Sequence, residues 1–162
     1  GAASVKDRRF QVLLQLLVET GARKSEVDER KWKDIDLDAC SIEVLNTKTG
    51  KPRMLFFSAQ TAQLMKRVWQ EKSTEKMLFE STRASGAVVN FKKQWNKLTS
   101  AIGRADLRLH DLRHYRAKLL IESGSTVAVA AQALGHSSLI LHRRYGHMES
   151  KAVQSAVQTS WR

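Results

Sequence analysis

Cysteine is almost missing from this sequence: Cys40 stands alone, which excludes an internal disulfide framework and a cysteine-rich zinc site. Proline is as scarce, with Pro52 the single example. No stretch rich in glycine, proline or serine divides the chain, and it holds no low-complexity tract or internal repeat. No apolar run approaches the roughly 20 residues that a membrane span needs. The start carries no signal-peptide pattern. These absences predict one domain of a cytoplasmic or nucleoid-associated protein that has no membrane partner. An initiating methionine is lacking too. The opening Gly1-Ala2-Ala3-Ser4 predicts a piece of a longer chain.

Acidic side chains are in deficit as well. Lysine and arginine number 28 against 16 aspartates and glutamates, a net charge of +12 over 162 residues. That excess points to a polyanionic partner, nucleic acid ahead of an anionic membrane. The balance of 42% hydrophobic and 27% charged residues is that of a folded domain, not of a disordered basic tail. The chain is long enough to bury a core without a metal or disulfide staple.

Helical spacing of Phe10, Leu13, Leu14, Leu17 and Val18 predicts a helix over Asp7 to Thr20, ended by Gly21. A second helical segment is predicted over Arg23 to Trp32. Alternation of Ile35 and Leu37 with aspartates, then Ile42, Val44 and Leu45, and the run Met54 to Phe57, predict a small antiparallel sheet with a hairpin tip near Lys48 to Pro52. Further helices are predicted over Thr61–Glu71, Val88–Ile102, Leu109–Ser123, Thr126–Leu134 with Ser125 as its cap, Ser137–Tyr145 and Ser150–Trp161. The fold class is therefore mostly α with a small antiparallel sheet (α+β).

The densest polar cluster is Leu109-His110-Asp111-Leu112-Arg113-His114. On a helix His110 lies beside both Arg113 and His114. One reading is a zinc pair, but Arg113 repels a dication and no third ligand is near in sequence. The other is an anion site, for which arginine supplies a bidentate fork. Taken alone, the cluster also suits a solvated helix face. Three further features stand in the chain: Arg23 just past a helix end, Lys48 at a hairpin tip, and His136 at a helix start. Tyr145, nine residues after His136, sits among Arg143, Arg144, Gly146 and His147 in a chain with only two tyrosines.

The order Arg23, Lys48, His110-x-x-Arg113, His136, Tyr145 resembles the catalytic set of the tyrosine recombinases, the phage-type integrases and Xer-like recombinases. The segments TGARKSE, NTKTGKPR, LRLHDLRH, ALGHSS and RRYGHM each resemble that family's own, and the likeness runs from about Val12 to Met148. The resemblance implies the family's catalytic-domain fold across residues 1–162, and site-specific recombination or integration of double-stranded DNA without cofactor or metal. It implies Tyr145 as nucleophile through a 3′-phosphotyrosyl link, Arg23 and Arg113 as the clamp on the scissile phosphate, and His110 as proton acceptor. Lys48 is implied as the acid for the leaving 5′ oxygen, with Lys51 as its alternative, and His136 as a further phosphate donor. A phage or mobile-element integrase is the first expectation. Glu26 reads as a scaffold residue that orients an arginine.

The resemblance also implies an N-terminal DNA-gripping domain outside this chain, a homotetramer on DNA, and a free domain that is monomeric. It implies a C-terminal tail over residues 150–162 that docks on a neighbouring protomer; Val153, Val157 and Trp161 recur every fourth residue as its apolar stripe, and docking on the chain's own core is the alternative. Two rival functions share the residue inventory: a type IB topoisomerase that relaxes DNA without pairing sites, and a DNA-binding module with no chemistry.

Overall fold

Asp7 sets the first boundary. Its carboxylate accepts hydrogen bonds from the amides of Arg9 and Phe10, so α1 runs over Arg8–Thr20. Gly21 ends it with φ 62°, and its amide donates to Leu17. A computed structural model describes residues 7–45, 52–69, 76–81 and 87–135, with residues 143, 146, 157 and 158.

After Gly21 the chain makes one short helix, α2 (Lys24–Asp28), and a 3-10 turn at Trp32–Asp34. The longer helix predicted to reach Trp32 is broken because Arg30 and Trp32 use their backbone elsewhere. The Arg30 carbonyl accepts from Leu78 at 2.7 Å, and the Trp32 amide donates to Lys76 at 3.1 Å. Three strands follow in the order β1 (Ile35–Asp36), β2 (Ser41–Val44) and β3 (Arg53–Phe56), all antiparallel. The register sets Ile42 opposite Leu55 and Val44 opposite Arg53. Alternation turns these four inward and Glu43, Met54 and Phe56 outward. Leu37 lies in the turn after β1, and Leu45 and Phe57 lie just beyond strand ends.

Ser58 caps α3 (Ala59–Val68), and Glu19 of α1 accepts from its amide and hydroxyl at 2.7 and 2.9 Å. Residues 76–81 then lie between two neighbours, bridging Lys31 to Met77 and Glu80 to Val88. Those bridges hold Val88 in extended backbone, so α4 begins only at Lys92 and runs to Ala101. α5 (Asp111–Glu122) and α6 (Val127–Leu134) complete the described elements. Thr126, not Ser125, caps α6, its hydroxyl accepting from the Val129 amide. After Gly135 only residues 143, 146, 157 and 158 are described, and each is helical; 143 belongs to one of the two helices predicted there, and 157 and 158 to the other.

The main core wraps α1, which buries Phe10, Val12, Leu13, Leu14, Leu16 and Leu17 against the sheet, α3 and the aromatic chain Phe10, Phe91, Phe79, Trp69, Trp32. Each of these large apolar side chains contributes about 1.5–3 kcal/mol. A smaller core joins α5 to α6 through Ala117, Ile121, Val127, Ala130, Ala131 and Leu134. No helix among the described residues is long and apolar enough to cross a membrane.

Candidate active site

The two cores meet at Gly21. A Cβ on Gly21 would lie 2.3 Å from Leu134 Cδ2 and 3.0 Å from Arg116 Cγ, so the bare glycine lets α6 and α5 approach the end of α1. That approach brings Arg113 to the turn. Its guanidinium, only 1% exposed, donates through Nη1 to the Gly21 carbonyl at 2.7 Å. Arg113, Ala117 and Ile121 form one buried stripe on α5, at the spacing of successive helical turns.

Arg23 stands two residues past Gly21. Glu26 fixes it twice, accepting from the Arg23 amide at 2.7 Å and from its Nη1 at 3.0 Å. Arg23 Nη2 donates to the Gly135 carbonyl at 3.4 Å. Glu26, 4% exposed, also accepts from Arg53 Nη2 at 2.7 Å. Arg53 Nη1 donates to the Ala133 carbonyl. Burial pushes the Glu26 carboxyl up, but its bonds and charge pairing with Arg23 and Arg53 outweigh this and hold it low.

Two guanidiniums thus share one carboxylate, a third, that of Arg113, stands within the reach of their charges, and the surplus is positive. Arg113 feels it: burial first, then the charges of Arg23 and Arg53, bring its pKa down to about 9, against the pull of Glu26. An anion placed between Arg23 and Arg113 would restore the balance.

His110 precedes the first residue of α5. Its ring meets that of His114 edge to face, with centroids 5.0 Å apart. Burial, then Arg113, Arg108 and Arg23, depress its pKa against the opposing pull of Asp111, so the neutral imidazole is favoured. Asp111 is already engaged, accepting from the Arg108 amide at 2.8 Å. No group of three metal-ligating side chains occurs among the described residues, so the zinc reading gains no third ligand there.

Of the six residues predicted from sequence, the structure therefore gathers Arg23, His110 and Arg113 around the Gly21–Gly135 junction. Lys48, His136 and Tyr145 lie outside the described residues, as does Lys51. The other tyrosine, Tyr115, is 52% exposed on α5. Glu26 orients Arg23 as expected of a scaffold residue. Arg53 escaped the sequence reading, although it lies inside the quoted NTKTGKPR segment; an arginine on the inward face of a strand was the signal available. Among the other basic side chains, Lys92, Lys93 and Lys97 are exposed along α4. Lys66 is paired with Asp38, and Arg104 with Asp106.

Comparison with known proteins adds three results. A family model described as the phage integrase family matches residues 2–152. The chain is 32% identical over 143 residues to tyrosine recombinase XerA of Saccharolobus solfataricus, covering 88% of this chain and 47% of that protein. Among solved structures, XerA recombinase superposes with a TM-score of 0.71 at 23% identity, covering 98% of this chain and 60% of the other. XerH recombinase bound to its difH substrate in a pre-cleavage complex gives 0.65 at 26% identity, covering 91% and 45%. The chain spans about half the length of the curated relatives it matches. The mostly helical fold with a small antiparallel sheet is the fold expected from the resemblance.

Proposed function

Because the chain belongs to the phage integrase family, we propose that it cuts and rejoins double-stranded DNA in site-specific recombination, through a covalent link to Tyr145. The observation that carries this reading is the meeting of Arg23 and Arg113, from opposite parts of the chain, with neutral-favoured His110 beside a surplus of positive charge. The relatives named above are recombinases, and XerH is seen on its DNA substrate.

The step is an in-line phosphoryl transfer. The Tyr145 phenolate oxygen forms a bond to phosphorus, and the bond from phosphorus to the 5′ oxygen breaks. The phenol proton passes to His110, and Lys48 protonates the leaving oxygen. Arg23 and Arg113 neutralise the non-bridging oxygens, where charge gathers; removal of one such preorganised donor costs about 100–1,000-fold in rate. His136 adds a donor on the same phosphate. The 3′-phosphotyrosyl bond conserves the energy of the phosphodiester, so the reverse attack reseals the strand without ATP. The positive charge comes from the side chains, and no metal is assigned a step.

On DNA the chain acts as part of a homotetramer, with residues 150–162 docked on a neighbouring protomer. Charge supports the DNA partner: a net +12 favours a polyanion.

Incubation with supercoiled DNA in chelator, quenched in SDS, tests the chemistry. The expected result is protein attached to DNA 3′ ends by the parent and by Tyr115→Phe, and none by Tyr145→Phe. An adduct that persists in Tyr145→Phe removes the nucleophile assignment. Relaxed circles in place of recombinants from a two-site plasmid point instead to the topoisomerase-like activity.

A further inference from the structure

Arg53 is outside the six assigned residues, yet it ties the frame of the site together. In β3 its side chain points to the inward face, where Leu55 and Val44 show that an aliphatic residue suits the sheet. A guanidinium with only 9% exposure costs several kcal/mol unless it is paired. Here it is paired with purpose: Nη2 donates to Glu26 Oε2 at 2.7 Å and Nη1 to the carbonyl of Ala133.

Glu26 is the carboxylate that holds Arg23, and Arg23 reaches Gly135 at 3.4 Å. Two arginines from different elements therefore share one carboxylate and grip carbonyls two residues apart at the end of α6. Cations there also suit the negative end of the helix dipole. The turn is shaped around this grip. Gly135 has φ 63°, and a Cβ on it would come within 3.0 Å of Arg53 Nε.

The chain order gives the grip its meaning. Arg53 follows Lys48 by five residues, and His136 directly follows Gly135. The frame joins β3, which follows Lys48 in the chain, to the end of α6, which precedes His136, and both to the anchor of Arg23. We propose that Arg53 is a positioning residue for DNA cleavage, setting the lysine that protonates the leaving oxygen in register with the arginine clamp. The inference rests on the function proposed above, and it has a chemical signature of its own. When the 5′ oxygen is replaced by sulfur, the phosphorus–sulfur bond breaks to release a thiolate. A thiol has a pKa near 8.5, so that leaving group needs no proton. A loss caused by a misplaced acid is recovered on sulfur, whereas a loss caused by a damaged fold or clamp is not.

The test compares cleavage of a nicked duplex, built on the site that the parent cuts, with oxygen or sulfur at the leaving position. Arg53→Lys keeps the charge but not the planar fork that spans Glu26 and Ala133. It carries the test, with Arg53→Gln alongside and thermal melts for both. General acids supply about 100–10,000-fold, so partial misplacement should raise the sulfur-to-oxygen rate ratio about tenfold or more over the parent. A lower oxygen rate with an unchanged ratio, or no loss at all, overturns the proposal. Lys48→Met and Lys51→Met identify the acid. A raised ratio in Lys51→Met alone moves the acid along the same loop and supports the proposal, provided Arg53→Lys also raises it. No rise in either lysine variant overturns it, since no acid would be there to position. A parent that cuts neither duplex refutes the proposed function, and this inference falls with it.

Discussion

Gly21→Ala is the perturbation that asks most of this structure, because one added methyl group would press on Leu134 of the smaller core and on Arg116 of α5, beside the carbonyl that anchors Arg113. At φ 62° an alanine sits in left-handed backbone, which costs about 1–2 kcal/mol. The new Cβ would stand 2.3 Å from Leu134 Cδ2, and Leu134 is fully buried, so relief needs a new Leu134 rotamer forced against packed neighbours or a shift of α6. Overpacking of that kind costs about 1–3 kcal/mol. The stiffer unfolded chain returns about 0.4–1 kcal/mol. The net loss is about 1–5 kcal/mol. Gly103→Ala supplies the matched control: its φ is 68°, but nothing lies within 4 Å of an added Cβ. The two variants share the backbone cost and differ only in the contact. Urea unfolding at constant m should place Gly21→Ala about 1–3 kcal/mol below Gly103→Ala. Equal midpoints for the two would refute the close approach of α6 to Gly21, and with it the geometry that carries Gly135 to Arg23.

Three more outcomes are expected. Glu26→Gln leaves Arg23 and Arg53 without their shared charge. It should lose about 3 kcal/mol or more of stability, and its covalent adduct with DNA should form more slowly. Glu26 has a depressed pKa in the fold, so its contribution is present above the ordinary value of 4.5 and is lost as pH falls through the lower folded value; acid unfolding should accordingly be less steep in Glu26→Gln than in the parent. Because His110 is depressed below 6.5, it stays neutral down to lower pH, and single-turnover cleavage should rise with pH through a midpoint below 6.5; a midpoint above that value contradicts the field of the neighbouring arginines. DNA binding should weaken steeply with salt, by about 1,000- to 100,000-fold between 50 and 200 mM if 6–10 phosphates are neutralised, and a flat response by fluorescence anisotropy contradicts the DNA-binding surface.

What the sequence by itself determined is local or ordered along the chain. Asp7 and Gly21 bound α1, and Gly124 and Gly135 follow the ends of α5 and α6, because caps act over three or four residues and leave readable letters. The antiparallel pairing of β2 with β3 and the mostly helical class were legible for the same reason: periodicity needs no knowledge of distant partners. Tertiary structure decided the rest. Residues 76–81 carry no strand periodicity, and their place is set by backbone bonds to Arg30, Trp32 and Ala87. The burial of Arg113 against Gly21 spans 92 residues, the reach of Arg23 to Gly135 spans 112, and the Arg53–Glu26 pair spans 27. A buried charge is tolerable only where such partners converge. Which arginines come together, and which one ties them to the sheet, therefore depends on the meeting of α1, α5 and α6 at one small residue, an event that no local pattern records.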